Sequence, residues 1–193
     1  PYTVLTMNYL LWISYKGTRY AGFQVQPNAP TVCAVLQDAM QAVLGQRPDV
    51  KGCSRTDSGV HARRFALSFC YTGKVPMAKL VPALNAHLPP DIRVLAAQAV
   101  PEDFHARYAA HTKTYLYRIH NHPIDSPFDA AYYTRVPRRL DEAAMQAAAS
   151  RIAAIVDIRV QNGIQAEVYD CILRTDWVSL EPVSYTHPTL PTN

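Results

Sequence analysis

The residues of this chain whose types and spacing could do chemistry together lie in Cys53-Ser54-Arg55-Thr56-Asp57-Ser58-Gly59-Val60-His61. Asp57 is the carboxylate at the centre. Arg55, two residues earlier, can form a charge-assisted pair that keeps a carboxyl ionised. An ionised carboxylate held in place can act as a nucleophile or a base. Ser58 and Gly59 allow a tight turn and the close approach of a ligand. On this short pattern alone the stronger reading is an ordinary loop, with Asp57 capping a turn and Arg55 as a solvated charge, because such turns are common.

A loop that does chemistry has to be positioned by regular structure on both sides. Residues 8–15 read as a strand with Tyr9, Leu11, Ile13 and Tyr15 on one face. Residues 16–18 are a turn, followed by a polar loop that contains Gln24. Val32, Val35, Leu36, Ala39, Met40, Val43 and Leu44 repeat at helical spacing, which predicts a helix over 32–44 with Thr31 as N-cap and Gly45 as its stop. Short strand 49–54 leads into the Asp57 loop, and strand 64–71 leaves it. A helix over much of 77–87 has to place Pro82 in its first turn or kink there. Strands follow at 92–100 and 113–120, the second with Tyr115, Tyr117 and Ile119 on one face. A helix over 140–155 begins with Asp141 and Glu142, the charge its dipole favours. Strands are expected at 156–160 and 168–178. The order β-α-β-β-α-β-β over 8–120 predicts an α+β fold, a sheet with its helices packed on one face.

Composition narrows the function classes. The chain has 193 residues and is 49% hydrophobic, enough for one substantial core or a domain and part of a second. No apolar run approaches the roughly 20 residues of a membrane helix, and the opening residues lack the pattern of a signal peptide. Met7, followed by a strand, is expected to be the natural start. The cysteines Cys33, Cys53, Cys70 and Cys171 form no CxxC pair, which suggests reduced thiols in a cytoplasmic protein. The histidines show no metal-ligand spacing, and no glycine fingerprint for a nucleotide is present, so no cofactor and no metal are expected. Residues 1–140 carry 16 Lys and Arg against 8 Asp and Glu, whereas residues 141–193 carry 3 against 7. A basic front part suggests a polyanionic partner. Lys16, Arg19, Lys113, Arg135, Arg138 and Arg139 would form a diffuse basic surface.

Four segments in register go further than any of these signals: YKGTRYAGFQVQPN, CSRTDSGVHA, LNAHLPPDI and DFHARYAAHTKTYLYRI. Over roughly residues 8–150 the chain resembles the tRNA pseudouridine synthase A family. The resemblance implies a pseudouridine synthase fold, an antiparallel or mixed sheet built from ferredoxin-like (RRM-like) halves, the second incomplete. The halves would be 1–100, bearing the Asp57 loop, and 101–180. It implies an isomerase that turns a uridine of the tRNA anticodon arm, at positions 38–40, into pseudouridine. Asp57 would be the nucleophile. Arg55 would assist the flipping of the base, or pair with Asp57. Tyr115 would lie against the flipped uracil, leaving Tyr117 to packing. Arg107 would contact phosphate. His105 would bind RNA or serve the structure, Gln24 would contact RNA or brace the Asp57 loop, and Lys113 would join the RNA surface. The partners implied are tRNA and a second copy in a homodimer, with no membrane.

The later text departs from that family. Its HDFxxF-type segment and its [HYF]xMVR-like motif are not recognisable after the helix at 140–155, and 181–193 reads as a disordered or non-native tail. A truncated or altered C-terminal part is therefore expected. A non-catalytic RNA-binding fragment of the same fold is the competing expectation. A hydrolase using Asp57 with His61 or His105 is a third, and it requires metal dependence or release of free uracil.

Overall fold

The computed structural model describes residues 6–73, 76–110, 112–128, 130–151, 157–161 and 165–174. The chain divides into two units between Ala109 and Ala110.

The first unit runs β1 (Thr6–Tyr15), α1 (Val32–Leu44), β2 (Val50–Gly52), β3 (Ala62–Thr72), α2 (Met77–His87), β4 (Ile92–Val100) and α3 (Ala106–Ala109). Its four strands form one antiparallel sheet in the order β2-β3-β1-β4. Leu11 of β1 lies opposite Leu67 on one side and Ala97 on the other. Tyr9, Leu11, Ile13 and Tyr15 share a face with Phe65, Leu67 and Phe69, as their alternation predicts, and all are buried. Rings fill this layer: Tyr9 stacks on Phe69 with centroids 5.4 Å apart, and Phe23 meets Phe65 at 4.4 Å. Leu36 and Met40 of α1, and Leu80 and Leu84 of α2, are also fully buried.

The helices are not confined to one face, as the sequence suggested. Leu10 and Trp12 point to the opposite face of β1 and are buried as well. Ser68 points the same way, and its Oγ accepts the Ala106 N–H at 3.1 Å, which seats α3 there. Asn8, again on that face, donates from Nδ2 to the Phe104 carbonyl at 2.7 Å and anchors the approach to α3. An antiparallel sheet can leave one face to water, but here β1 is buried on both faces, and a short helical turn does part of that work.

Helix α1 has the ends its sequence predicts. Thr31 Oγ1 accepts the Ala34 N–H at 3.3 Å, and Gly45 closes the helix in the left-handed conformation. Helix α2 leaves, of the two placements expected for Pro82, only the interior one. The proline lies beyond the first turn, and the helix continues past it to His87. Pro82 is exposed, so the carbonyl that loses its N–H partner there can be met by water.

The second unit contains β5 (Thr112–His120), β6 (Thr134–Arg135), α4 (Glu142–Arg151), β7 (Asp157–Gln161) and β8 (Gln165–Arg174). Its sheet has the order β6-β5-β8-β7, with β6 parallel to β5 and the other pairs antiparallel. The two late strands expected at 156–160 and 168–178 form the β7–β8 hairpin. Asp141 caps α4 by accepting the Ala144 N–H at 2.9 Å. Tyr117 corrects the sequence reading: it is 57% exposed and is not a packing residue. Residues 152–156, 175–178 and the predicted tail at 181–193 lie outside the described residues.

Candidate active site

The Asp57 loop connects β2 to β3. Pairing continues one residue beyond β2, where Cys53 N–H donates to the Ala66 carbonyl at 2.8 Å. The loop then leaves the sheet and returns at Ala62. Its own backbone contributes one turn, closed by Val60 N–H donating to the Asp57 carbonyl at 3.3 Å.

Most of its support comes from residues 15–23, at the end of β1 and in the loop after it. Phe23 N–H donates to the Thr56 carbonyl at 3.1 Å, and Gly59 N–H donates to the Tyr20 carbonyl at 3.1 Å. Gly17 N–H donates to His61 Nδ1 at 3.0 Å. The Tyr15 hydroxyl and Thr56 Oγ1 share a hydrogen bond of 2.8 Å. Burial pushes the Tyr15 phenol well above its usual range, so it stays protonated.

Two glycines make this approach possible. At Gly22, φ is +87°, and an added Cβ would lie 2.4 Å from the Thr56 carbonyl oxygen. At Gly17 an added Cβ would lie 2.0 Å from the Val60 carbonyl oxygen. Any side chain at either position would push the two loops apart. The bracing segment is tied down in turn at Asp91. That carboxylate accepts from the Tyr20 hydroxyl at 2.7 Å and pairs with Arg19 Nε at 3.0 Å.

Asp57 itself is exposed, and so is Arg55. Among the described residues no ion pair joins them, so the salt-partner role considered for Arg55 is not formed. The guanidinium is free to reach a ligand. The loop thus presents a carboxylate to solvent, with its backbone fixed at residues 56 and 59 and the His61 ring held by Gly17. That arrangement suits a group that must meet an incoming substrate in one geometry.

His61 and His105 have structural partners. His61 spends Nδ1 on Gly17. His105 Nδ1 accepts the Arg107 N–H at 3.2 Å, and its carbonyl accepts the N–H groups of Tyr108 and Ala109 at 3.0 and 2.9 Å. His105 therefore caps α3. Its ring lies against Tyr108, centroids 4.4 Å apart, and Tyr108 is 80% exposed. Arg107, on the same turn, is exposed. Gln24 is also exposed and makes no brace to the Asp57 loop among the described residues. Its neighbour Phe23 does that through the backbone, while Gln26 Nε2 holds the Ala21 carbonyl at 2.7 Å.

In the second unit, Tyr115 is 37% exposed on β5, opposite Asp170, and Lys113 is half-buried on the same strand. The basic surface is thinner than its residue count suggests. Arg19 is paired with Asp91, and Arg135 holds the Pro123 carbonyl at 2.7 Å and faces Asp125 at 3.9 Å. Arg138 and Arg139 are exposed.

Sequence reasoning missed Tyr15, Gly17, Gly22 and Asp91 as parts of this site. All four lie in segments that carried the resemblance, Tyr15, Gly17 and Gly22 in YKGTRYAGFQVQPN and Asp91 in LNAHLPPDI, but spacing alone assigns none of them a part in the site. Among the described residues no cluster of His, Cys, Asp and Glu could hold a metal ion, and no helix is long and apolar enough to cross a membrane.

A family model described as tRNA pseudouridine synthase matches residues 11–109, which contain most of β1, all that follows through α3, and the Asp57 loop. The chain is 37% identical over 182 residues to a tRNA pseudouridine synthase A of Lacticaseibacillus casei, covering 90% of this chain and 74% of that protein. It is 36% identical over 177 residues to the one of Aquifex aeolicus, covering 92% and 71%. With that of Ruminiclostridium cellulolyticum it shares 45% over 139 residues, 72% of this chain and 57% of the relative. With a braced carboxylate loop inside the matched region and relatives of this likeness, the chain belongs to the tRNA pseudouridine synthase A family.

Proposed function

We propose that the protein isomerises uridine to pseudouridine in the anticodon arm of tRNA, at positions 38–40, with Asp57 as nucleophile. The observation that carries this reading is the exposed Asp57 carboxylate on a backbone locked by residues 15–23. In the reaction the C1′–N1 bond breaks and a C1′–C5 bond forms. C5 loses a proton and N1 gains one, so nothing is oxidised and no atom is added. A stacked uridine has to leave the helix to be reached. The exposed Arg55 guanidinium is suited to fill the vacated space or take a phosphate. Tyr115 offers an aromatic face to the uracil. Arg107 supplies a phosphate contact, and Tyr108 beside it offers a ring backed by His105. Lys113 adds charge on β5, while Gln24 is left to an RNA contact.

The order β1-α1-β2-β3-α2-β4, in a sheet arranged β2-β3-β1-β4, supports reading the first unit as a ferredoxin-like half. The second unit would be the partial other half. We take tRNA and a second copy of the chain as partners and the cytoplasm as the site of action.

The test is a mass-tag assay for pseudouridine on a tRNA transcript, run beside a binding measurement. Wild-type protein should form pseudouridine. Asp57→Ala should still bind the transcript and form none. Wild-type protein that binds tRNA yet forms no pseudouridine would instead be an RNA-binding fragment, and release of free uracil would point to a hydrolase.

A further inference from the structure

The contacts that hold the Asp57 loop are mostly backbone to backbone. One joins two side chains directly beside the nucleophile: the Tyr15 hydroxyl and Thr56 Oγ1, 2.8 Å apart. Tyr15 is the last residue of β1 and is only 4% exposed. Its ring is fixed on two sides, by Phe23 at 6.5 Å and by Phe65 at 5.7 Å between centroids. The hydroxyl is therefore a fixed point of the core that reaches up to the loop. Thr56 is half-buried. Its carbonyl is already held by Phe23 N–H. With Oγ1 held as well, both its side chain and its peptide oxygen are pinned. The peptide that follows is the one from which Asp57 projects.

We propose that Tyr15 is a positioning residue for the reaction, acting on Asp57 through the side chain of Thr56. This rests on the reading of Asp57 as nucleophile. Tyr15 lies inside the core and does not touch substrate. Its contribution is to fix the backbone torsions on the N-terminal side of Asp57, so that the carboxylate meets the nucleoside in one geometry. Misplacing a reacting group by about 1 Å can cost on the order of 100-fold in rate. Substrate binding, made by other groups, should be nearly untouched.

The experiment measures kcat, KM and melting temperature on a tRNA transcript for wild type, Tyr15→Phe, Thr56→Val, Thr56→Ser and Tyr15→Phe/Thr56→Val. The two single losses of a hydroxyl should each lower kcat about 10-fold or more, with KM within about twofold. Thr56→Ser keeps the hydroxyl and should retain wild-type kcat. The double variant should be no slower than the worse single, because both remove one bond. If Tyr15→Phe loses its melting transition, Thr56→Val carries the same test with the buried ring left in place. Tyr15→Phe at wild-type kcat, losses that multiply in the double variant, or kcat that merely follows melting temperature would each overturn the proposal. A wild-type chain that binds tRNA and forms no pseudouridine overturns the nucleophile reading and this one with it. Loss confined to the variants of an active wild type separates the two.

Discussion

Asp57 and Arg55 both project into solvent, so truncating either removes charge without removing packing. Asp57→Ala should change unfolding free energy by no more than about 0.5 kcal/mol while abolishing turnover. A urea titration beside the pseudouridine assay checks both halves of that statement. Tyr15 is the opposite case. Its pKa is raised from 10.0, first by burial, so the fold favours the neutral phenol. The stability this contributes is fully present below about pH 10 and is lost as pH rises beyond it. Melting temperature measured from pH 7 to 11 should fall at the alkaline end, and less steeply in Tyr15→Phe, where Tyr20, Tyr133 and Cys33, each also raised first by burial, remain. Asp57 stands out in the sequence because its motif is contiguous, yet residue types alone read it as a turn residue, and only the four segments in register gave it a role. Neither signal was enough for Tyr15 or Gly22, whose partners lie 41 and 34 residues away and are met partly through main-chain atoms. Gln24 shows the same limit. A polar side chain drew attention there, while the bracing atom was the backbone nitrogen of Phe23.

Elements were legible where their ends carry local signals. Helix α1 spans the predicted 32–44 because Thr31 and Gly45 define its limits within the chain itself. Thr31→Ala should cost about 1 kcal/mol, seen in denaturant unfolding. Tyr117 and Trp12 show what periodicity leaves out: alternation tells which residues share a face and is silent on what covers it. Pro82 shows that a helix with buried Leu80 and Leu84 can override a local breaker when the proline faces water. The connection between β1 and α1 is the element with most at stake. Gly22→Ala forces a side chain into a positive-φ residue 2.4 Å from the Thr56 oxygen. It should destabilise the first unit by about 1–3 kcal/mol, and it should lower kcat by more than the unfolded fraction explains. Equal losses in the two measurements would count against a bracing role.

For the molecule as a whole, charge sets how RNA is met. Net charge is +4, but Arg19 and Arg135 already have partners. Arg107 is among the exposed cations left to meet phosphate. Arg107→Gln should weaken tRNA binding and reduce the slope of log affinity against log salt by about 0.9. A titration of binding across salt concentrations reads this directly. Order in time follows from the same architecture. The segments that hold Asp57 in place meet only when β1 pairs with β3, across a gap of more than 40 residues that includes all of α1. Loop closures of that length are slow to form, and contacts that depend on them come with the sheet and not before it. The carboxylate thus has no local fold of its own to fall back on. During refolding from urea, turnover should return in step with the sheet signal in far-ultraviolet circular dichroism, which makes catalysis a reporter of the completed β1–β3 pairing.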